Sequence, residues 1–340
     1  MKNVPDPSPN LKTSLLPSHS IIIVGLSGGP DSIYLLHQLH LIKDQRNVTI
    51  IAAHLDHEWQ ESSKIAVKIC KQACDDLGIT LIVKKLSEIK FEAKWNGSQE
   101  ELGRNMRRHF FTTLAHQYQA SAIVLAHHQQ DQQETFFIRL LRGCSLTGLT
   151  GIHEQEGLYI RPILDCTKQE IFEYLHHHKI TYYTDPTNSS NNYLRNRIRN
   201  NVIPALQLAD ARFSQKLIST MDHLIQVDNF LDQHVTKTLA MIGTDQGIEL
   251  QKFLSLHSVL QQRILLHLMI TEHVTFSPSQ KLFKEIMRFL EKSASNKHTI
   301  HDSWMVEKNK SHFMIKNIDL AIMQCYDQRN TKLQKNEKTL

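Results

Sequence analysis

An α/β sheet of parallel strands with helices on both faces, followed by a smaller helical unit, is the fold this sequence predicts. Three observations predict it. Strand-length apolar runs alternate with helix-length amphipathic segments from Ile21 to Arg142. Two consecutive glycines and a proline join the first of these runs to the first helix. Polar clusters rich in His, Asp and Ser fall where the strands should end, which is the edge at which open α/β sheets bind ligands.

The elements follow in order. Ile21 to Val24 is an apolar run of the length expected for a strand buried on both faces. The next segment repeats Ile33, Leu36, Leu39 and Leu35, Ile42 at helical spacing. Val48 to Ala53 is the second strand, delivering His54-Leu-Asp56-His57 at its end. Ser63 to Leu77 reads as a helix stopped by Gly78, and Thr80 to Val83 as the third strand. Ser98 with Glu101 forms a capping-box pattern opening a helix to about Tyr118. Ala122 to Ala126 is the fourth strand, ending at His127-His128, and a helix runs from about Asp131 to Arg142. Leu158 to Arg161 fits an edge strand, and Thr167 with Glu170 caps another helix. Beyond about Phe213 the spacing is helical, with further helices over Leu260 to Ile270 and Leu282 to Leu290. The organisation expected is a loose leader (1–20), a catalytic domain (21–215), a helical domain (216–325) and a polar tail (326–340).

Composition narrows the class. The chain has 340 residues, 41% of them hydrophobic and 21% charged, ordinary for a globular protein. No run approaches the ~18 apolar residues of a membrane helix, so no membrane partner is expected. The first twenty residues hold four prolines and no secretory pattern, which points to the cytoplasm. Five cysteines include no Cys-x-x-Cys pair, and Cys70 with Cys74 fits burial on one helix face. A net charge of +5 favours polyanions without deciding the matter.

Ser27-Gly28-Gly29-Pro30-Asp31-Ser32 is the most informative segment. Adjacent glycines reach backbone angles closed to other residues, so successive N–H groups can converge on one anion. Pro30 suits the first helical position, and the helix N-terminus aims its partial positive charge at the same point. The hydroxyls of Ser27 and Ser32 can donate to phosphate oxygens. Asp31 is a carboxylate where a phosphate should lie, which implies an intervening Mg²⁺. The Walker lysine is absent, so this is not the ordinary P-loop.

This segment resembles the signature of the PP-loop (N-type) ATP pyrophosphatases, Rossmann-like enzymes that cleave ATP between its α- and β-phosphates and adenylate an acceptor. Further blocks resemble one family among them, the tRNA(Ile)-lysidine synthases. These are His54-Leu-Asp56-His57, Glu100-x-x-x-Arg104-x-x-Arg107, and His127-His128-x-x-Asp131-Gln-x-Glu134-Thr continuing through Arg139 to Gly143. Arg161-Pro-Ile-Leu-Asp165, Asp185-Pro-Thr-Asn188 and Leu194-Arg195-Asn-Arg197-Ile-Arg199 complete the set. The resemblance covers about residues 20 to 210 in order, and more weakly 250 to 316.

The resemblance implies that the wobble cytidine of an isoleucine tRNA with a CAU anticodon is adenylated and then joined to free L-lysine. ATP would sit on Ser27, Gly28, Gly29, Pro30, Asp31 and Ser32, with Asp31 sharing Mg²⁺. Arg104 and Arg107 would stabilise charge on the α-phosphate or activated base. His127 or His128 would assist proton removal, while Asp131 and Glu134 would orient the lysine ammonium or a metal. His54, Asp56 and His57 are further substrate candidates. Arg195, Arg197 and Arg199 are candidates for RNA backbone contact, Arg195 and Arg199 sharing one helix face. The C-terminal helices would grip the tRNA stem, and a homodimer is left open.

The sequence also departs from the family pattern. Glu58, Trp59 and Gln60 replace a small residue, leucine and arginine, and Arg108 replaces a tyrosine. Gln130-Asp131 stands for an Asp-Asp pair, leaving one carboxylate. The chain ends where longer relatives begin another domain. Rival readings are a tRNA thiolase, which calls for paired cysteines, an amidating synthetase, which brings a glutaminase domain, and an RNA-binding protein that kept an inactive ATP fold.

Overall fold

The alternation of Ile22, Ile23 and Val24, all at most 1% exposed, sends successive side chains to opposite faces of the first strand. Ile22 and Val24 join one apolar cluster with Ile33, Leu36 and Leu39, while Ile23 joins another with Phe110, Phe111 and Leu114. Both faces of the sheet are therefore covered. Each such side chain contributes about 1.5–3 kcal/mol on burial. The computed structural model describes residues 11–58, 63–89, 99–184, 191, 193–274, 279–292, 295–301 and 303–318. The Glu100 side chain, Trp59, Gln60, Ser98, the 185–188 motif, Cys325 and the tail 326–340 lie outside the described residues.

The chain divides into two compact units, Met1–Ile225 and Gln226–Leu340. In the first, β1 (Ser20–Gly25), β2 (Val48–Asp56), β3 (Thr80–Lys85), β4 (Ala122–Val124), β5 (Gln155–Glu156) and β6 (Tyr159–Ile160) form one sheet. Its order is β3-β2-β1-β4-β6-β5. All pairings are parallel except the antiparallel β5–β6 edge. The strand at 159–160, expected at an edge, is inside, because the two residues of β5 pair on its outer side.

Helices α1 (Pro30–Arg46), α2 (Ser63–Leu77), α3 (Gln99–Gln117), α4 (Gln129–Arg142), α5 (Leu146–Leu149), α6 (Lys168–His177), α7 (Leu194–Arg197) and α8 (Ile203–Ala209) complete this unit. Asn47 ends α1 in the left-handed conformation, at φ 52°. Cys70 and Cys74 are fully buried, as the helical spacing predicts. Thr167 caps α6 reciprocally with Glu170.

Residues 11–16 correct the expectation of a loose leader. Leu11 and Leu16 are buried in the core, and the Arg46 guanidinium donates to the Thr13 carbonyl at 2.6 Å. Lys12 pairs with Glu154, and with Asp165 at 2.5 Å.

The long helix α9 (Phe213–Ile242) is followed by β7 (Gly243–Thr244), β8 (Gly247–Glu249), α10 (Leu250–Leu254), α11 (Ser258–Thr271) and α12 (Gln280–Lys292). Then come β9 (Lys297–His301), β10 (Trp304–Lys308) and β11 (His312–Asn317). The expected helices are present. A five-stranded antiparallel sheet, β7-β8-β11-β10-β9, accompanies them. Phe253, Val306 and Phe313 are at most 1% exposed and, with Ile264, Leu265 and Ile286, form this unit's own core. No helix among the described residues is long and apolar enough to cross a membrane.

Candidate active site at the phosphate loop

Strand order makes the site. From β1 the chain proceeds outward through β2 to β3, then returns to place β4 on the other side of β1. The segments leaving β1 and β4 therefore diverge from adjacent strand ends, opening a crevice between them. The segment after β1 is the loop 26–29, and the segment after β4 carries His127-His128.

The loop is internally tied. The Ser27 N–H donates to the Ser32 hydroxyl (3.1 Å), the Ser32 hydroxyl donates to the Gly29 carbonyl (3.0 Å), and the Gly29 N–H reaches Ser27 Oγ (3.3 Å). Gly28 has φ +83°, and a Cβ there would lie 3.1 Å from the Ala66 carbonyl oxygen and 3.2 Å from Cys70 Sγ. Only glycine fits both the angle and the space. Pro30 is the first residue of α1, and Asp31 lies in its first turn. A strap from another part of the chain closes over the loop, where the Tyr183 N–H donates to the Gly28 carbonyl at 2.8 Å.

Asp31 is held by a lysine and a histidine. Lys168 Nζ lies 2.5 Å from one carboxylate oxygen and His128 Nε2 lies 3.5 Å from the other. Burial alone would raise the Asp31 pKa, but the charge and hydrogen bonding of His128 and Lys168 outweigh it and lower the value. His128 Nε2 is also 3.5 Å from Asp131, so one imidazole spans the loop carboxylate and the α4 carboxylate. Burial opposes a charge on His128, yet Asp131 and Asp31 together raise its pKa. His128 also caps α4, its ring accepting from the Gln130 N–H (3.2 Å) and its own N–H donating to Asp131 (3.0 Å).

Glu134 lies one turn deeper and is fully buried. Arg195 Nε (2.6 Å) and Arg199 Nε (2.5 Å) both donate to it, and Arg195 Nη2 also reaches Asp131 (2.9 Å). Two arginines thus meet two carboxylates, and Asp131 is held down to about 2 as His128 and Arg195 overcome its burial. A carboxylate orienting an incoming ammonium must be reachable, and Glu134 is sealed beneath the arginines at 0% exposure whereas the Asp131 side chain is 14% exposed. Arg197, on the other side of the turn, donates to the Asn191 carbonyl at 3.3 Å.

His127 is the neutral partner of this charged array. Burial, then the positive charges of Arg161, Arg195 and Arg104, hold its pKa down to about 4 against the pull of Asp131. Its Nδ1 is buried without a hydrogen-bond partner among the described residues. On β2, His54 Nδ1 donates to the Leu26 carbonyl at 2.8 Å, tying that strand end to the loop. Asp56 accepts the Glu58 N–H at 2.9 Å. Arg107 donates to His57 Nε2 (3.1 Å), and burial with the Arg107 charge lowers His57 to about 4. Arg104 is exposed on the same helix, α3.

A divalent cation fits this donor set only as a companion of phosphate. No cluster of three or more His, Cys, Asp or Glu able to hold a metal occurs among the described residues. Mg²⁺ binds through one or two carboxylates together with substrate phosphates, and Asp31 with the loop hydroxyls supplies the protein's share.

Sequence reasoning passed over Lys168 and Tyr183. A lysine opening a helix opposes the helix dipole, and that anomaly is the signal that could have marked Lys168. Gln130 was noted only as a missing carboxylate; its side-chain oxygen in fact accepts the Lys168 N–H at 3.0 Å. Nothing local in the sequence marks Tyr183.

Comparison with known proteins bears on the family and the fold. The PP-loop domain family matches residues 8–206. A tRNA(Ile)-lysidine synthase from Clostridioides difficile (strain 630) is 31% identical over 326 residues, covering 91% of this chain and 69% of the relative. One from Clostridium tetani (strain Massachusetts / E88) is 34% identical, covering 72% of this chain and 54% of the relative. Among solved structures, a U34-tRNA thiolase from Methanococcus maripaludis shares the fold, with TM-score 0.54 and 15% identity, covering 64% of this chain and 76% of that one.

Proposed function

Because the chain belongs to the PP-loop family and, within it, to the tRNA(Ile)-lysidine synthases, we propose that it joins lysine to C2 of the wobble cytidine of an isoleucine tRNA with a CAU anticodon. ATP drives the reaction, the decoded codon changes from AUG to AUA, and the work is done in the cytoplasm. The observation that carries this reading is the convergence at His128, where the phosphate loop and the α4 carboxylate meet within 3.5 Å of one imidazole. A site that both activates a base and receives an amine needs those two elements in contact.

The chemistry runs in two displacements. The C2 oxygen of cytosine attacks the α-phosphorus of ATP; an O–P bond forms, the bond to the bridging oxygen breaks, and pyrophosphate leaves with the electron pair. The free ε-amine of lysine then attacks C2, the C2–O bond breaks, and AMP departs. The nitrogen sheds one proton as it bonds.

In this reading the loop N–H groups and the hydroxyls of Ser27 and Ser32 hold phosphate oxygens. Asp31 would hold Mg²⁺, which supplies charge neutralisation on the phosphates when bound. Arg104 and Arg107 face the activated base and α-phosphate. His127, neutral and with an unpartnered nitrogen, takes the proton that the lysine nitrogen sheds. Asp131 orients the amine. Glu134 is assigned a different task, fixing Arg195 and Arg199 so that Arg195 holds Asp131 in place. The second unit would take the tRNA stem through shape and phosphate contacts.

The test is incorporation of radiolabelled lysine into an unmodified isoleucine tRNA transcript, with a uridine-substituted wobble position as control. Label that needs both ATP and the cytidine supports the reading. Release of AMP without lysine transfer would redirect it to another nucleophile.

A further inference from the structure

The β5–β6 edge is short, yet it builds a support for one side chain of α3. Tyr159 and Ile160 pair in parallel with Ile123 and Val124 of β4, three residues short of His127, so the support stands at the carboxyl edge of the sheet. The Tyr159 ring is buried, its hydroxyl donating to the Arg108 carbonyl (3.0 Å) and lying 2.9 Å from Thr112 Oγ1. The Arg108 guanidinium lies over that ring, 4.7 Å from its centre. Glu156 pairs across the hairpin with Tyr159 and reaches two guanidiniums, Arg161 at 3.2 Å and Arg108 at 3.5 Å. One carboxylate therefore faces two cations. The surplus charge falls on Arg108, whose side chain is 42% exposed against 4% for Arg161. Arg108 stands where the family pattern has a tyrosine, so this charge is the chain's own.

We propose that Arg108 is an RNA contact, gripping a backbone phosphate beside the wobble cytidine in the anticodon loop. The proposal rests on the reading of the chain as a tRNA-modifying enzyme. A guanidinium laid flat on an aromatic ring keeps its N–H edge free and gives up little freedom on binding, which suits the two-pronged geometry of a phosphate. Glu156, at 3.5 Å, stands at the limit of hydrogen bonding and steadies the fork without exhausting its five donors. Among the described residues no other carboxylate contacts Arg108. Arg104 lies one turn earlier on α3, about 6 Å along the helix, a step that one nucleotide spans. With Arg104 on the reacting nucleotide, Arg108 meets the phosphate next to it. An unpaired loop can turn its phosphates toward such a pair, which a closed duplex cannot do freely.

The experiment is binding of the full-length chain to an unmodified isoleucine tRNA transcript, measured by filter retention over a series of salt concentrations. Arg108→Gln is expected to weaken binding about three- to ten-fold at about 0.1 M salt, the range for one partly screened charge. The slope of log affinity against log salt should become shallower by about 0.7 to 1. The KM values for ATP and lysine should stay within about two-fold of the wild type. Arg108→Lys, which keeps the charge but loses the fork, should keep the wild-type slope at intermediate affinity. Unchanged affinity and slope in Arg108→Gln would overturn the proposal. Weaker binding at an unchanged slope with a lowered melting temperature would make Arg108 a structural partner of Tyr159 and Glu156, and would also overturn it. A raised KM for ATP alone would move Arg108 to the nucleotide, with the same consequence. A wild-type chain that does not retain the transcript would instead overturn the tRNA reading itself.

Discussion

Replacing Glu134 by glutamine should be among the most destabilising single-atom changes available in the first unit. The carboxylate is fully buried and accepts from Arg195 at 2.6 Å and from Arg199 at 2.5 and 3.0 Å. Removing one partner of a buried ion pair costs about 3–5 kcal/mol, because the remaining charges lose their counter-ion without regaining water. The two arginine side chains are 28% and 38% exposed, so solvent screens part of that loss. Glutamine also keeps one accepting oxygen. A figure of about 2–4 kcal/mol follows, which for a unit of this size corresponds to a fall in melting temperature of roughly 5–15 °C.

Thermal unfolding followed by circular dichroism measures it. Arg199→Gln, which removes the more exposed arginine, should cost about 1 kcal/mol. The double variant should be less unstable than the sum of the two singles, since they share one interaction. If Glu134→Gln melts within about 2 °C of the wild type, the carboxylate is not what holds these arginines, and its assignment as their anchor fails. The same variant should lose lysine transfer more than nucleotide binding, because Arg195 would no longer be shared between Glu134 and Asp131.

Further outcomes follow from the same geometry. His127 titrates at about 4 against 6.5 for an ordinary histidine. Between those pH values the unfolded chain binds a proton that the native ring refuses, so stability falls as pH drops through that window. His127→Asn should therefore flatten the dependence of stability on pH between 6.5 and 5 by roughly 2 kcal/mol, and parallel melting curves for the two proteins would refute the assignment. Gly28→Ala must strain a backbone at φ +83° and crowd the Ala66 carbonyl. It should cost about 1–2 kcal/mol and weaken ATP, and adding Cys70→Ala should restore only the part due to the sulfur contact; full ATP affinity in Gly28→Ala would contradict the loop geometry. Asp31→Asn should abolish pyrophosphate release while leaving the fold intact, and retention of that release would remove Asp31 from the nucleotide site.

Much of this was legible in the residues, for physical reasons that differ by element. The strands at 20–25 and 48–56 announce themselves because strands buried on both faces must be nearly continuously apolar, whereas the edge strand at 80–85 shows only as the short run Leu81-Ile-Val83 after Gly78. The i,i+4 spacing of Arg195 and Arg199 put them on one face, and both reach Glu134. What that spacing cannot say is what lies opposite. The destination of an arginine depends on a carboxylate sixty residues away that only the sheet order brings near. Lys168 was missed for the same reason, its partner Asp31 being fixed by a tertiary contact rather than by a motif.

The sheet of the second unit was missed differently. Its strands run from two to six residues, and β9 and β11 mix histidine and lysine with apolar positions, so no single run shows a strong period. Only Phe313 and Ile315 in β11, alternating with half-exposed neighbours, carry the period-two pattern.

The measurement that bears most directly on the central claim is a single reaction containing the full chain, ATP labelled at its α-phosphate, lysine and the cytidine-bearing isoleucine tRNA. The products to follow are AMP, pyrophosphate and the mass of the anticodon fragment. The account predicts that AMP and pyrophosphate appear in equal amounts with lysine-bearing fragment, and that with lysine withheld an adenylated fragment accumulates. ADP and phosphate as products, or an anticodon fragment whose mass never changes, would contradict it.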